Sequence, residues 1–404
     1  MSAGQPPISR QPAISAPNPV QRWFYRAFNT GVLQKSRLAW VDYLRGIAIL
    51  LVVYRHVLLG IQNSGLLLPP SYLNANIMFF SFRMPLFFIL SGIFISGSIA
   101  KKSLGRIIFI KFENLLYPYI IWSIIQITIQ IAANHWTNAQ RSAIDYTYIL
   151  YQPKQLDQFW YLPALFNSTV IYLLTKTKLK LHGWMQILLG LILYFLSPFC
   201  RSVTMMSDWM EFYLFFAIGD TISSWFFREN VQAFLKNRYT LPCLLPVFIA
   251  TQLYYLHLYN SSPDHDVNLG LFLIIALIGC LTMCALAYRL QDWNILRFLR
   301  VLGYHSLYIY VMHVIAAAFV RVILTKVFGI HQPVALLFIG IALAATIPVI
   351  IYNLFIVDKP LWFLFTLERK KPNRTPGTPN DAAPSGTPDK SIPAGIKVAV
   401  PEKL

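Results

Sequence analysis

Ten stretches of this 404-residue chain each run for about twenty largely apolar residues, near 39–60, 74–99, 107–133, 158–175, 184–200, 209–227, 240–258, 268–288, 302–325 and 333–357. A run of that length matches the hydrocarbon thickness of a bilayer when it coils as an α-helix. Composition agrees: 56% of residues are apolar, 15% aromatic and only 12% charged, with a mean hydropathy of +0.52. No water-soluble core absorbs that much apolar surface. The expected fold class is an all-α membrane protein, a polytopic bundle of about ten transmembrane helices.

Basic residues fix the expected orientation. With the N-terminus inside, 26 of the 34 Lys and Arg residues fall on cytoplasmic segments, and only Arg141, Lys154, Arg201 and Lys326 fall outside. This asymmetry predicts both termini in the cytoplasm. The formal charge of +18 follows from loops that face anionic headgroups, and no nucleic-acid-reading module is recognisable. Nucleic acid is therefore excluded as a partner, and membrane lipid is expected as one. Residues 1–38 hold Pro6, Pro7, Pro12, Pro17 and Pro19, and 367–404 are rich in Pro. Both read as disordered cytoplasmic tails flanking a transmembrane domain over 39–366. No cleaved secretory signal is recognisable. Cys200, Cys243, Cys280 and Cys284 lie in or beside apolar runs without metal-ligand spacing. Neither a disulfide framework nor a bound metal is expected.

The first run, "LRGIAILLVVYRHVLLG" at 44–60, carries Arg45, Arg55 and His56 among aliphatic residues. A charged group in a bilayer costs at least ~2.5 kcal/mol, so such residues point to a polar cavity. Eleven residues separate Arg45 from His56, which on a helix is about 20° past three full turns. The two share one face, about 16 Å apart along the axis, Arg45 toward the cytoplasm and His56 toward the outer half. Asp42 sits three residues before Arg45, in reach to pair with it. Arg55 points about 100° away, toward another helix or the outer headgroups. The plainer reading of this face is an Asp–Arg pair that orients helices beside a satisfied buried histidine.

"VDYLRGIAILLVVYRH" resembles the first helix of the integral-membrane acyltransferase 3 family, with its arginine, ten residues, then histidine. Further stretches follow in the family's order: "FFSFRMPLFFILSGIFIS" (79–96), "LLYPYIIW" (115–122), "FWYLPALF" (159–166), "FYLFFAIGD" (212–220), "LGYHSLYIYVMH" (302–313) and "DKPLW" (358–362). The resemblance spans about residues 37 to 366 and is nearest in pattern to fucose 4-O-acetylase-type members. It implies O-acylation of envelope or exported glycans at the cell (inner) membrane, with a cytoplasmic acyl-coenzyme A, acetyl-coenzyme A in the first instance, as donor substrate. No permanently bound cofactor is implied. The chain departs from many members in having Arg83 and Phe159 where they carry histidine, and Lys111, Glu113 and Asn114 near their paired-basic motif.

Moving an acyl group from a thioester to a sugar hydroxyl needs a base at the hydroxyl, charge stabilisation at the carbonyl oxygen and an anchor for the donor's phosphates. His56 is the expected base, because imidazole exchanges protons near neutral pH. Arg45 is the expected donor anchor, held by Asp42. Seven more residues are candidates for substrate binding. Arg83 precedes Met84-Pro85, where the proline frees a backbone carbonyl that needs a partner. Ser306, Tyr310 and His313 fall within about 60° on one helical face. Lys111 and Glu113 lie near the inner end of the third run, the acid expected to pair with Lys111 or Arg106. Trp160, with Tyr161, sits at the expected outer boundary, where a sugar-stacking platform competes with an ordinary aromatic belt. Asp358 is placed to cap or pair at the inner end of the last helix. With no nucleophile motif at helical spacing from His56, direct transfer is expected rather than an acyl-enzyme.

Two other readings fit the same layout. One is a transporter or flippase of a sugar-containing lipid that uses the same polar cavity. The other is a non-catalytic envelope partner descended from an enzyme.

Overall fold

The computed structural model describes residues 18–34, 38–134, 141–262, 267–357 and 359–368. Within them every one of the ten apolar windows is helical, and no strand occurs. The chain runs α1 (Pro19–Phe28), α2 (Ala39–Gln62), α3 (Pro70–Ile93) with its short continuation α4 (Ile95–Ile99), α5 (Leu104–Lys111) and α6 (Tyr117–Ala132). It continues through α7 (Tyr148–Tyr151), α8 (Tyr161–Thr177), α9 (Gly183–Leu196), α10 (Thr204–Phe226), α11 (Glu229–Lys236), α12 (Thr240–Ser261), α13 (Leu269–Trp293), α14 (Phe298–Tyr304), α15 (Ser306–Val322) and α16 (Pro333–Ile351). A π-helical turn, Phe112–Leu116, joins α5 to α6, and two others, Ile323–Val327 and Tyr352–Ile356, extend α15 and α16.

Eight helical stretches are long and apolar enough to cross a membrane. The two windows outside that set are α8, whose 17 residues span only about 25 Å, and α10, which carries Asp208, Glu211 and Asp220. This is a multi-pass membrane protein. Burial sorts its helices: 78% of the most apolar window of α3 is buried in the protein, against 17% for α12, so α3 is central and α12 faces outward.

Glycines let the central helices touch. A Cβ on Gly303 would fall 1.8 Å from the Asp42 carbonyl oxygen, and one on Gly46 would fall 2.1 Å from that of Leu299, so α2 and α14 meet backbone to backbone. Small residues favour such close crossings where lipid supplies no hydrophobic drive. This contact buries Asp42 completely.

Two expectations are corrected here. The N-terminal arm is not wholly unstructured, because Pro19–Phe28 is a helix closed by a capping box. Asn18 accepts from the Gln21 backbone N–H at 2.8 Å, and the Gln21 side chain accepts from the Asn18 N–H at 3.1 Å. The arm is also tied to the bundle, since Asn353 donates to the Ala27 carbonyl at 2.9 Å. Residues 1–17 and 369–404, and with them most of both expected tails, lie outside the described residues.

The second correction concerns the start of α8, which is packed in protein rather than standing free at a boundary. The segment leading to it plunges into the bundle, with Leu156, Gln158 and Phe159 almost fully buried and the Tyr119 hydroxyl donating to the Ile149 carbonyl at 2.6 Å. Trp160 and Tyr161 therefore open α8 from the interior. Non-helical backbone inside a membrane bundle is tolerated where protein covers it or where it lines a cavity.

Candidate active site

Two cavities lie in series along α2 and α15. On α2, Arg45 and Ile49 line the first and His56 and Gly60 the second. On α15, Ser306 and Tyr310 line the first and Val314 and Arg321 the second. The first, inner in the expected topology, measures about 200 Å³, and the second, outer, about 450 Å³.

Between them two histidines meet. His313 Nδ1 lies 2.8 Å from the Tyr310 carbonyl oxygen and 3.0 Å from that of Ile309. Carbonyls only accept, so Nδ1 carries the proton and Nε2 is an acceptor. His56 Nδ1 lies 3.1 Å from that Nε2 and 2.9 Å from the Val52 carbonyl oxygen. Both neighbours again accept, which assigns a proton to His56 Nδ1. His56 Nε2 is then a lone pair with no partner among the described residues, on a ring that lines the outer cavity. The rings cross edge to face at 4.9 Å between centroids, and His313 is fully buried. His313 therefore orients His56 and fixes its tautomer.

The inner cavity is aromatic around one guanidinium. Arg45, 6% exposed, lines it with Ser91, Asn114, Tyr161, Tyr304, Tyr308 and Tyr352, and acts electrostatically on Tyr161 and on buried Lys111. Tyr310 and Tyr161 cross at 5.3 Å. The Tyr310 hydroxyl is nearest the Tyr161 backbone but makes no well-formed hydrogen bond to a described residue. The C-terminal turn Pro360–Leu364 folds back beside this cavity, with Trp362, Phe365 and Thr366 in its wall. It is held by the Tyr117 hydroxyl on the Phe363 carbonyl at 2.5 Å and the Trp122 indole N–H on that of Leu364 at 3.1 Å. Asp358 lies outside the described residues.

Among the expected site residues, the fold thus gathers Arg45, Ser306 and Tyr310 on the inner cavity, and places His56 in the wall of the outer one with His313 packed against it. Others stand apart. Arg83 donates to the Leu51 carbonyl at 3.2 Å and reaches Asn76 at 3.5 Å, which ties α3 to α2. Arg55 packs on α3, its guanidinium 6.0 Å from the Phe80 ring centre. Trp160 packs at a tilt on Phe212, 5.4 Å between ring centres, beneath the Lys154 ammonium, which pairs with Asp208 at 2.5 Å. Glu113 sits on the π-helical turn, and among the described residues no ion pair joins it to Lys111 or Arg106, contrary to the expectation. Asp42 is buried at the glycine crossing and lines neither cavity.

Sequence reasoning missed the polar wall of the outer cavity, formed by Gln126, Gln130 and Asp157. Gln126 and Gln130 were visible as an i, i+4 pair inside an apolar run, which places them on one helix face. Asp157 carried no such signal.

A model of the acyltransferase domain family (Acyl_transf_3) matches residues 38–353. Nodulation protein NolL of Sinorhizobium fredii (strain NBRC 101917 / NGR234) is 27% identical over 181 residues, which cover 44% of this chain and 46% of that protein. The chain thus matches less than half the length of this curated relative. No solved structure matches it.

Proposed function

This chain belongs to the acyltransferase domain family, and from that premise we propose that it moves an acyl group, acetyl in the first instance, from cytoplasmic acyl-coenzyme A to a hydroxyl of an envelope or exported glycan at the inner membrane. The observation that carries the reading is the serial arrangement on α2, with Arg45 in the inner cavity and the His56 Nε2 lone pair on the outer one.

The donor enters from the side of the basic loops. Arg45 holds a phosphate or carbonyl oxygen of the donor, and the aromatic walls pack against its uncharged pantetheine arm. The acceptor occupies the outer cavity with one hydroxyl toward His56. Nε2 takes the hydroxyl proton as the oxygen attacks the thioester carbonyl carbon. The negative charge that develops on the carbonyl oxygen meets the Tyr310 hydroxyl, a buried donor in want of a partner. When the tetrahedral intermediate collapses, the C–S bond breaks and the imidazolium returns its proton to the departing thiolate. The products are an ester and free coenzyme A, and no acyl-enzyme is required.

The test is acyl transfer from labelled acetyl-coenzyme A to endogenous glycan in membranes holding the wild-type chain or His56→Ala. Transfer by the wild type and its loss in the variant support the reading. A transporter of sugar-containing lipid would instead keep moving its solute with His56 replaced, and would transfer no label.

A further inference from the structure

Beside His56, Asn63 and Arg321 on α2 and α15, the polar lining of the outer cavity comes from α6 and the segment before α8. Val57, Leu59 and Ile315 supply aliphatic surface, while Gln126, Gln130 and Asp157 face it from the other side. Three side chains converge on a single oxygen of Asp157: Gln126 Nε2 at 3.1 Å, Gln130 Nε2 at 3.3 Å and Arg141 Nη2 at 3.4 Å all meet Oδ2. No described residue donates to Oδ1, and the side chain is 36% exposed. Gln126, 2% exposed, is itself locked, because Gln158 donates to its Oε1 at 2.8 Å.

The backbone adds a second, independent observation. Asp157 sits at φ 57° and ψ −106°, in the left-handed half of conformational space, where a residue with a side chain is strained. Strain of this kind costs about 1–3 kcal/mol and clusters at ligand sites. Here it sets a carboxylate at the end of the buried segment before α8, in the wall of the cavity that His56 also lines.

We propose that Asp157, positioned by Gln126, Gln130 and Arg141, is a specificity-determining residue that selects a neutral, polyhydroxylated ring as acceptor. The proposal rests on the transferase reading above, which assigns the outer cavity to the acceptor. A sugar ring has an apolar C–H face and a rim of hydroxyls, which matches aliphatic surface faced by amides and a carboxylate. Oδ1 accepts from hydroxyls other than the one that is acylated, in charge-assisted hydrogen bonds stronger than neutral ones. The same carboxylate repels an acceptor carrying its own carboxylate or phosphate. Arg321, a cation on the α15 side of the cavity, keeps its charge but directs Nη1 to the Gly60 carbonyl oxygen.

The test is equilibrium binding, without donor, to the full chain in lipid nanodiscs, read by ligand-observed NMR. The probes are the methyl glycosides of glucose, galactose, mannose, fucose and N-acetylglucosamine, with the matching hexuronates. The wild type is expected to bind at least one neutral glycoside, and its uronate roughly tenfold more weakly. Asp157→Asn, which keeps the shape and tolerates the left-handed backbone, should lose roughly tenfold in neutral-sugar affinity and narrow the gap to the uronate. Asp157→Gly, which relieves the backbone altogether, should do the same, separating the carboxylate from the strain. Should either variant fail to fold, Gln130→Ala, on the helical wall, should still weaken neutral binding severalfold. Neutral binding and selectivity unchanged in the variants that fold would overturn the proposal. A wild type that prefers the uronates, or binds no neutral glycoside, would also overturn it. Because no donor is present, a failure of acyl transfer appears only in the turnover assay and leaves these binding curves as they are.

Discussion

The inner cavity surrounds Arg45 with tyrosines, Trp362 and Phe365, whereas the outer cavity faces His56 with three amides, a carboxylate, a guanidinium and aliphatic side chains. Both share α2 and α15 as walls, so the difference arises from what the remaining helices contribute. The inner lining comes from α3, the start of α8 and the C-terminal turn, and the outer lining from α6 and the segment before α8. Aromatic walls with one fixed cation suit a donor with a long uncharged arm behind an anionic head. Amides and a carboxylate beside an imidazole suit hydroxyl groups. The chain thus presents two chemistries in series, joined at a pair of histidines.

His56→Ala breaks the comparison most severely, because it removes the group at which the two sides meet. Loss of a positioned general base costs about 10²–10⁴ in rate, and acetyl transfer in membranes should fall by that factor with insertion and yield near wild type. Turnover within threefold of wild type would take the imidazole out of the chemistry and leave two cavities without a reaction between them.

Tyr310→Phe comes next, a change of one oxygen atom in the wall of the inner cavity. Removing one donor to a developing oxyanion costs about 10²–10³, so kcat should fall by about a hundredfold while the Michaelis constants for donor and acceptor stay close to wild type. A rise in the donor constant at unchanged kcat would instead make Tyr310 part of the donor's binding wall.

The sequence revealed both of these residues, but not the contacts that place them. The ten apolar windows and the Arg45–His56 face were legible because both follow from helix period and bilayer thickness alone. The stripe of Ser306, Tyr310 and His313 was legible for the same reason. The contact of His313 with His56 was not, since it joins residues 257 apart in the chain and depends on how α15 crosses α2. The start of α8 was misread because "LDQFWYLPALF" has the composition of an interfacial helix end, and burial of the residues before it is a tertiary fact. Asp157 was invisible for a related reason: its role comes from a backbone angle and three side-chain partners, neither of which has a sequence period.

Arg45→Lys sharpens the inner half of the comparison. Lysine keeps the charge but loses the planar fork that suits phosphate and carbonyl oxygens. The expected result is a donor Michaelis constant raised roughly tenfold with acceptor affinity unchanged, since the loss of one charge-assisted contact is worth about 1.5–3 kcal/mol at most. An equal change in both constants would place Arg45 in the coupling between the cavities rather than in the donor's half.

The smallest effect is expected at Glu113, which from sequence alone stands among the substrate-binding candidates. It occupies the π-helical turn next to Asn114, and only Asn114 lines the inner cavity. Such turns insert one residue into a helix and rotate the next turn about the axis, so adjacent side chains part company. Glu113→Gln keeps the shape and removes the charge at a half-buried position off both cavities. Transfer should change by less than about twofold, the scale of an ordinary substitution away from a site. Asn114→Leu, one residue on, puts an apolar group into the inner wall and should raise the donor Michaelis constant severalfold. If the two variants instead lose activity equally, the register of this turn is wrong, and its part of the inner cavity's wall has to be redrawn by one residue.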